Sequence, residues 1–497
     1  MPSKRTTECI IILALITLSS ALILSHLGNV YLWGDEAQTA MVAKTVLKYG
    51  YPRGFDGVNY ICQLKGAQVG RNFVWIWHPW FPFYLLAGFF AAFGQSTFTA
   101  RLPFALMGIA TVILTYYFAK SLWNNRRAGI ISAVLLMTCV PFLLMVRQCR
   151  YYAPMMLFSV AGLYAYTRML DRRKHSAAAF VISGVLLFHT HFVYCGVLLA
   201  TVFIHSLIFR RDRVWAVMVM SAIIAALGVP WMIWASSMGN IAQGYGSIVE
   251  RHALQFAGVF TIQVMKHVFP PWLLALPIGV YLLNRHRKRK ISTDNREGLA
   301  LLILFALMTL AAAAFTAQYP YFRYIATLVP AVMIITGLIL ESGMKIHPAV
   351  GIVFIALLAY FGRMPSYLYE ITHDYDGPNE GIVRYFQAHA KKGDIVVTNH
   401  EDLPIKFYTG LRVICGATGE DLSDVKKADW VVMRHDMVAL DMQSMPYLVK
   451  HIPWDNFEEI TLDYPDIIFE NREDPENHLF RSAQDVDPVI IYHRIPD

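Results

Sequence analysis

The sequence predicts a polytopic α-helical membrane protein of about 11–13 spans, with a small soluble α/β domain at its C-terminus. Three observations carry that prediction. Apolar runs of roughly 17–25 residues recur between Ile10 and Phe361, the length a helix needs to cross a bilayer. Charged residues make up only 16% of the 497, against about 25% in soluble domains, and mean hydropathy is +0.42, so most of the chain belongs in lipid. From about Ile371 the composition turns soluble, which divides the chain into a membrane domain over residues 1–370 and a soluble domain over 371–497. The short alternating segments of a β-barrel are not visible.

Taken in order, Lys4 and Arg5 hold the N-terminus in the cytoplasm. The first apolar run, Cys9 to Leu27, has no small-residue cleavage site behind it and reads as an uncleaved span. It delivers a polar stretch, Trp33 to Tyr84, to the outer face. That stretch opens on Trp33-Gly34-Asp35-Glu36 and closes on Trp77-His78-Pro79-Trp80-Phe81-Pro82-Phe83-Tyr84. The run Phe81–Phe93 holds only 13 residues and reads as a partial or re-entrant element, which resolves the parity of the crossings and leaves the C-terminus outside. Spans follow near Pro103–Ala119, Gly129–Val146 and Ala153–Leu170. The long run Ser176–Phe209 folds back at His189-Thr190-His191. Spans at Val214–Ala235 and Trp272–Leu283 flank a second outer loop with Gly239, Gly244, Gly246 and His252, and three more cover Leu299–Phe315, Ile325–Leu340 and Ala349–Phe361. The clusters Arg126-Arg127, Arg172-Arg173-Lys174, Arg210-Arg211-Arg213 and Arg285-His286-Arg287-Lys288-Arg289-Lys290 fit cytoplasmic loops. In the soluble region Asp394–Thr398, Asp429–Met433 and Val489–His493 read as buried strands, with no glycine fingerprint for a nucleotide.

Charge is divided unevenly. Residues 377–497 carry 12 Lys and Arg against 22 Asp and Glu, which leaves 31 against 13 in the rest. The basic membrane part suits anionic head groups or a phosphate-bearing lipid. Nucleic acid is excluded as a partner, because the cations lie at span ends and not along one face. Six cysteines show no metal or disulfide spacing.

Adjacent carboxylates at a membrane boundary are costly and so point to function, which makes Asp35 and Glu36 the candidates for a general base. The plain alternative is a helix first turn that complements the dipole. Candidates for holding a lipid phosphate are His78, Arg101, Arg147, Arg150, Tyr151, Arg323 and Tyr324, since arginine grips phosphate in two places and never loses its charge. Snorkelling and an aromatic belt are the competing explanations. His189 and His191 are further candidates, but residues two apart do not share a helical face. No metal ligand set is assigned, and a divalent metal stays open as a cofactor. Transfer at an outer face, away from cytosolic nucleotide-sugars, needs a lipid-linked donor. A transporter or flippase, or a scaffold with an acidic outer domain, are the competing functions.

These residues resemble the GT-C glycosyltransferases, in the branch of protein O-mannosyltransferases and the lipid A aminoarabinose transferase. The resemblance rests on Gly34-Asp35-Glu36-Ala37 with Tyr49-Gly50-Tyr51-Pro52, and on the stretch Trp77–Tyr84 in place of that branch's (Lys/His)-Pro-Pro-Leu-x-Tyr. Ala100-Arg101-Leu102-Pro103, Arg147–Ala153, His189–Phe192 and Phe322-Arg323-Tyr324 followed by Pro330 recur in matching order. It covers roughly Tyr31 to Leu340. It implies a GT-C fold and an inverting transfer from an undecaprenyl- or dolichyl-phosphate sugar to a lipid, glycan or protein acceptor. Asp35 would be the catalytic carboxylate, with His78 near the lipid phosphate where Lys is commoner. Trp77 stands where the aminoarabinose branch has an acidic residue associated with metal. Tyr151-Tyr152 stand where that branch has an Asp, which weighs against a metal-dependent or lipid A-specific enzyme.

Overall fold

The computed structural model describes residues 4–63, 66–239, 253–276, 278–279, 296–345, 347–374, 377–434, 445–467, 475–483 and 485–496. The basic tract 285–290, Gly244, Gly246 and His252, and the end of the span expected at Trp272–Leu283, lie outside the described residues. In chain order the helices are α1 (Lys4–Leu24), α2 (Gly34–Tyr49), α3 (Phe81–Phe93), α4 (Thr97–Trp123), α5 (Arg126–Met137), α6 (Val140–Val146) and α7 (Tyr152–Leu170). Next come α8 (Ser176–Thr190), α9 (Phe192–Phe209), α10 (Val214–Met238), α11 (Ala253–His267), α12 (Arg296–Thr316), α13 (Val329–Met344), α14 (Pro348–Phe361) and α15 (Met364–Glu370). The C-terminal region adds α16 (Pro378–His389), β1 (Ile395–Thr398), α17 (Asp402–Thr409), β2 (Arg412–Cys415), β3 (Trp430–Val432), α18 (Met445–His451), β4 (Phe457–Pro465) and β5 (Pro488–Arg494).

Among the described residues six helices are long and apolar enough to cross a membrane, or eight if each bent pair is one span. The shorter apolar helices α3 and α8 come in addition to these, and part of the span expected at Trp272–Leu283 lies outside the described residues. The run Gly129–Val146 is α5 and α6 bent by 67° at Thr138 and Cys139, ahead of Pro141. The run Ile325–Leu340 begins as a 3-10 turn over Phe322–Leu328 before α13. Helix α3 has the bounds expected for the short element, and α8 and α9 meet at His191, whose extended backbone makes the turn.

The chain divides into two compact units, residues 1–25, 104–232 and 245–371 in the first, and 26–103, 233–244 and 372–497 in the second. The first is a helical bundle with polar groups at its two ends. At one end Glu8 accepts from Lys120 and Tyr116 at 2.6 and 2.8 Å, and Asn125, the N-cap of α5, reaches Glu341 at 2.9 Å. Phe118 packs on Tyr164 of α7, and Tyr166 meets His205 of α9, so the Arg126, Arg173 and Arg210 loops share this end. At the opposite end lie the C-terminus of α1, the α6–α7 corner, the α8–α9 turn and the 3-10 turn before α13.

The second unit joins the polar stretch to the C-terminal sheet, whose strand order is β2-β1-β3-β5-β4. Strands β2, β1 and β3 are parallel, and β5 and β4 add antiparallel. Ile382 and Phe386 of α16 cover one face with Val396, Val413 and Val432, while Leu448 and Val425 cover Val397, Ile414 and Val431 on the other. Strands β1, β3 and β5 match the three apolar runs read from sequence. Strand β2 opens on Arg412, which interrupts its apolar run, and β4 is exposed at several positions along its length, so neither gives a continuous apolar signal. The edge of β2 is covered: Asn59 of the polar stretch donates to Leu411 O at 2.8 Å and accepts from Val413 N at 2.9 Å.

Candidate functional site

The candidates fall into two sets, one in each compact unit. In the second unit Asp35 stands in the first turn of α2, half-buried, where a negative charge complements the helix dipole. Trp33, the N-cap, gives no side-chain cap, and Gly34 N donates instead to Glu401 Oε2 at 3.1 Å. Glu401 also accepts from Asn379 Nδ2 at 3.1 Å. It sits in the left-handed region at φ 57°, just beyond the C-terminal end of β1, a conformation a non-glycine residue adopts at a cost of about 1–2 kcal/mol. A Cβ at Gly34 would stand 3.1 Å from Glu401 Oε1, a tight contact that Glu401 would have to ease by a few tenths of an ångström. At the far end of α2, Gly50 closes the helix at φ 82°.

The chain leading into α2 is tied down as firmly. Glu380, fully buried, accepts from Tyr31 N with one carboxylate oxygen and from Gly377 N with the other. Tyr408 stacks on Tyr31 at 4.2 Å, accepts from Leu32 N at 2.9 Å and bonds Thr97 Oγ1 at 2.7 Å. None of Glu380, Glu401 and Tyr408 was expected from sequence. They lie some 350 residues beyond α2, and the only local trace is the acidic pair Glu401-Asp402 directly after an apolar strand.

Glu36 and Arg101, expected as base and phosphate ligand, pair with each other. Glu36 is fully buried and takes Arg101 Nε and Nη2 at 2.8 and 2.6 Å. The remaining Arg101 donors go to the carbonyls of Leu27, Val30 and Tyr31. All five N–H groups of the guanidinium are thereby used. The pair is a buried clamp at the entry to α2, and it leaves Asp35 as the carboxylate of that turn with solvent access. His78 is buried, stacked on Phe83 at 5.1 Å and edge-on to Trp75 at 5.6 Å.

In the first unit Arg147 is also engaged. Its Nη1 donates to the carbonyls of Leu22, Ile23 and Ser25, at 3.4, 2.8 and 2.8 Å, and so caps the C-terminal end of α1. Arg147, expected at the phosphate, thus also anchors the end of α1. Arg150 and Tyr151 form the corner that starts α7. Arg150 is 7% exposed and lies over the Tyr151 ring at 5.1 Å. Tyr151 touches His191 edge-on at 5.1 Å, His191 touches Tyr194 at 4.8 Å, and Tyr194 donates its hydroxyl to Tyr324 O. Arg323 lies over Tyr321 and Tyr324 at 4.6 and 5.6 Å. The structure thus brings Arg150, Tyr151, His191 and Tyr324 into one aromatic and cationic cluster, which Tyr194 completes. His189 turns away, to Leu227 O at 3.3 Å. Among the described residues no group of three or more His, Cys, Asp or Glu side chains is placed to hold a metal ion.

A family model of dolichyl-phosphate-mannose-protein mannosyltransferases matches residues 77–234. No curated protein sequence matches the chain. Among solved structures, the chain is similar to ArnT from Cupriavidus metallidurans bound to undecaprenyl phosphate. The TM-score is 0.60 at 13% identity, covering 97% of each chain. The same protein in the apo state gives 0.59 at 14%, covering 99% and 98%. AglB from Archaeoglobus fulgidus, an oligosaccharyltransferase in complex with an inhibitory peptide and a dolichol-phosphate, gives 0.58 at 14%, covering 92% of this chain and 73% of that one. At such identities the fold is what is shared.

Proposed function

We propose that this chain, which carries the GT-C membrane glycosyltransferase fold, moves a sugar from a polyprenyl-phosphate donor to a lipid, glycan or protein acceptor at the outer face of a plasma or inner membrane. The reaction is an inverting displacement. The Asp35 carboxylate takes the proton of the acceptor hydroxyl, whose oxygen attacks the anomeric carbon as its bond to the phosphate oxygen breaks. The departing polyprenyl phosphate gains negative charge. Fixed cations stabilise such developing charge, and Arg150, Arg323 and His78 are assigned that part on their chemistry. The observation that carries this reading is the placing of Asp35. It is half-exposed on the first turn of a helix whose entry is clamped by Glu36–Arg101, Glu380, Glu401 and Tyr408. Such pre-organisation is what a general base requires. ArnT and AglB, solved with undecaprenyl phosphate and a dolichol-phosphate, support the donor class.

The test is Asp35→Asn in purified full-length protein, incubated with radiolabelled polyprenyl-phosphate sugars and candidate acceptors. Transfer is expected to fall by about two to four orders of magnitude, the usual worth of a general base, with donor binding and melting temperature unchanged. Wild-type transfer by the Asn variant removes Asp35 from the mechanism. Translocation of the lipid without transfer by the wild-type protein makes it a flippase.

A further inference from the structure

At the end of the first unit that carries the basic loops, the structure holds a cavity of about 300 Å³ between α4, α7 and α8. Three cations and a histidine ring its mouth: Arg168 from the last turn of α7, and Arg173, Lys174 and His175 from the loop that follows. Among the described residues none of them has a carboxylate within 4.0 Å, and Asp171 of the same loop pairs with none. The loop is fixed, not splayed. Arg173 N donates to Arg168 O at 3.0 Å, Arg172 N donates to Met169 O at 3.0 Å, and Ser176 donates its hydroxyl to Arg173 O at 2.6 Å. Ser176 also starts α8, so the positive end of that helix dipole faces the same space. Leu114, Ala161 and Ala165 supply an apolar wall.

Ordinary cytoplasmic-loop bias accounts for basic residues at this end, but not for an open pocket with an apolar side next to them. The depth is informative. Helix α7 has 19 residues, about 28 Å at 1.5 Å per residue, and its other end carries Arg150, so the cavity and Arg150 are separated by roughly one hydrocarbon thickness. A free anion in water has no use for the apolar wall, whereas a phospholipid places a phosphate at this depth with acyl chains beside it. Basic pockets between membrane helices are a recognised way to hold such head groups.

We propose that this cavity binds the phosphodiester head group of an anionic glycerophospholipid, in the leaflet opposite to Arg150. Arg168, Arg173 and Lys174 contact the phosphate, and His175 and Ser176 close the mouth. The proposal stands whether or not the chain is a transferase, since it uses only the membrane setting of the bundle.

The experiment measures retention of phosphatidylglycerol by delipidated full-length protein, against phosphatidylcholine and against inorganic phosphate in large excess. Each cation near a membrane surface is worth about fivefold in affinity, so Arg168→Gln/Arg173→Gln/Lys174→Gln together should weaken phosphatidylglycerol binding on the order of 100-fold. Phosphatidylcholine binding should not change, and free phosphate should not compete. All three substituted side chains are exposed or half-exposed, so the variant is expected to fold. Ala179→Trp, which fills the cavity and leaves every charge in place, should also abolish the preference. Equal phosphatidylglycerol retention by wild type and the triple variant overturns the proposal. Full displacement by inorganic phosphate overturns the lipid as ligand. An unchanged preference in Ala179→Trp overturns the cavity, leaving only surface charge.

Discussion

Replacing Arg101 by Met should loosen the entry to α2 while leaving Asp35 chemically untouched. The guanidinium holds both oxygens of Glu36, whose side chain is fully buried, and three backbone carbonyls. Without it Glu36 loses, while buried, the cation that holds both its oxygens, a loss of about 3–5 kcal/mol. At roughly 2–4 °C per kcal/mol for a unit of this size, the melting temperature should fall by about 6–20 °C. Glu36→Gln keeps the shape and one acceptor and should cost less, about 1–3 kcal/mol. The double variant Glu36→Leu/Arg101→Met removes both charges and should be more stable than Arg101→Met alone. The assay pairs thermal unfolding of the purified full-length chain with donor binding and sugar transfer. A Glu36→Gln protein that melts as wild type and binds donor but transfers nothing makes Glu36 a reacting group, and the clamp argument fails. An Arg101→Met protein of wild-type stability that no longer binds donor makes Arg101 a phosphate ligand, with the same consequence.

Three further outcomes follow from the second unit. Glu401→Gln keeps the acceptor for Gly34 N and should retain most transfer. Glu401→Ala should lower kcat more than it raises KM, because Asp35 loses its fixed position. Equal activity of the two variants refutes that coupling. Lys406 is fully buried, donates to Asp402 and to Tyr60 O at 2.8 Å, and its removal as Lys406→Met should cost about 3–5 kcal/mol by leaving Asp402 buried and unpaired. Burial acts to lower the Lys406 pKa, but the Asp402 and Glu420 carboxylates outweigh it and hold it above its ordinary value. A raised folded pKa gives stability that is present below 10.5 and is lost as pH rises through the folded value. Thermal melts should therefore drop in strongly alkaline buffer, and Lys406→Met should not show that drop. Burial also pushes the Cys62 thiol up to about 11, although Lys406 pulls it down, from an ordinary 9.0. Near neutral pH its alkylation should be on the order of 100-fold slower than that of a free thiol, and labelling at the free-thiol rate would refute the burial.

What the sequence disclosed and what it hid follow from the range of the interactions. Periodicity and run length are local, and they located α3, the turn at His191 and the strands β1, β3 and β5 within a few residues. Breaks inside apolar runs are local too but carry no hydropathy signal, so the bend between α5 and α6 was hidden inside one run. Residue type identified the acidic pair at 35 and 36 and the arginines, but it could not divide them by role. Asp35 and Glu36 are neighbours with the same chemistry, and they differ because a helix turn rotates one toward Arg101 and leaves the other half-exposed. Arg147 and Arg150 differ for the same kind of reason, one capping α1 and the other joining the tyrosine and histidine cluster.

The two acids that anchor α2 were out of reach of any local reading, since Glu380 and Glu401 meet Tyr31 and Gly34 only after some 350 residues of chain have folded. Their placement has a physical rationale once seen. The first turn of a helix exposes N–H groups that need acceptors, and the usual remedy is a Ser, Thr, Asp or Asn at the N-cap. Here that position is Trp33, and the acceptor comes from the C-terminal sheet. A local cap would have stabilised α2 equally well without tying it to anything. A remote one makes the position of Asp35 depend on the folded sheet, which gives the C-terminal region a reason to accompany this helix beyond covering it.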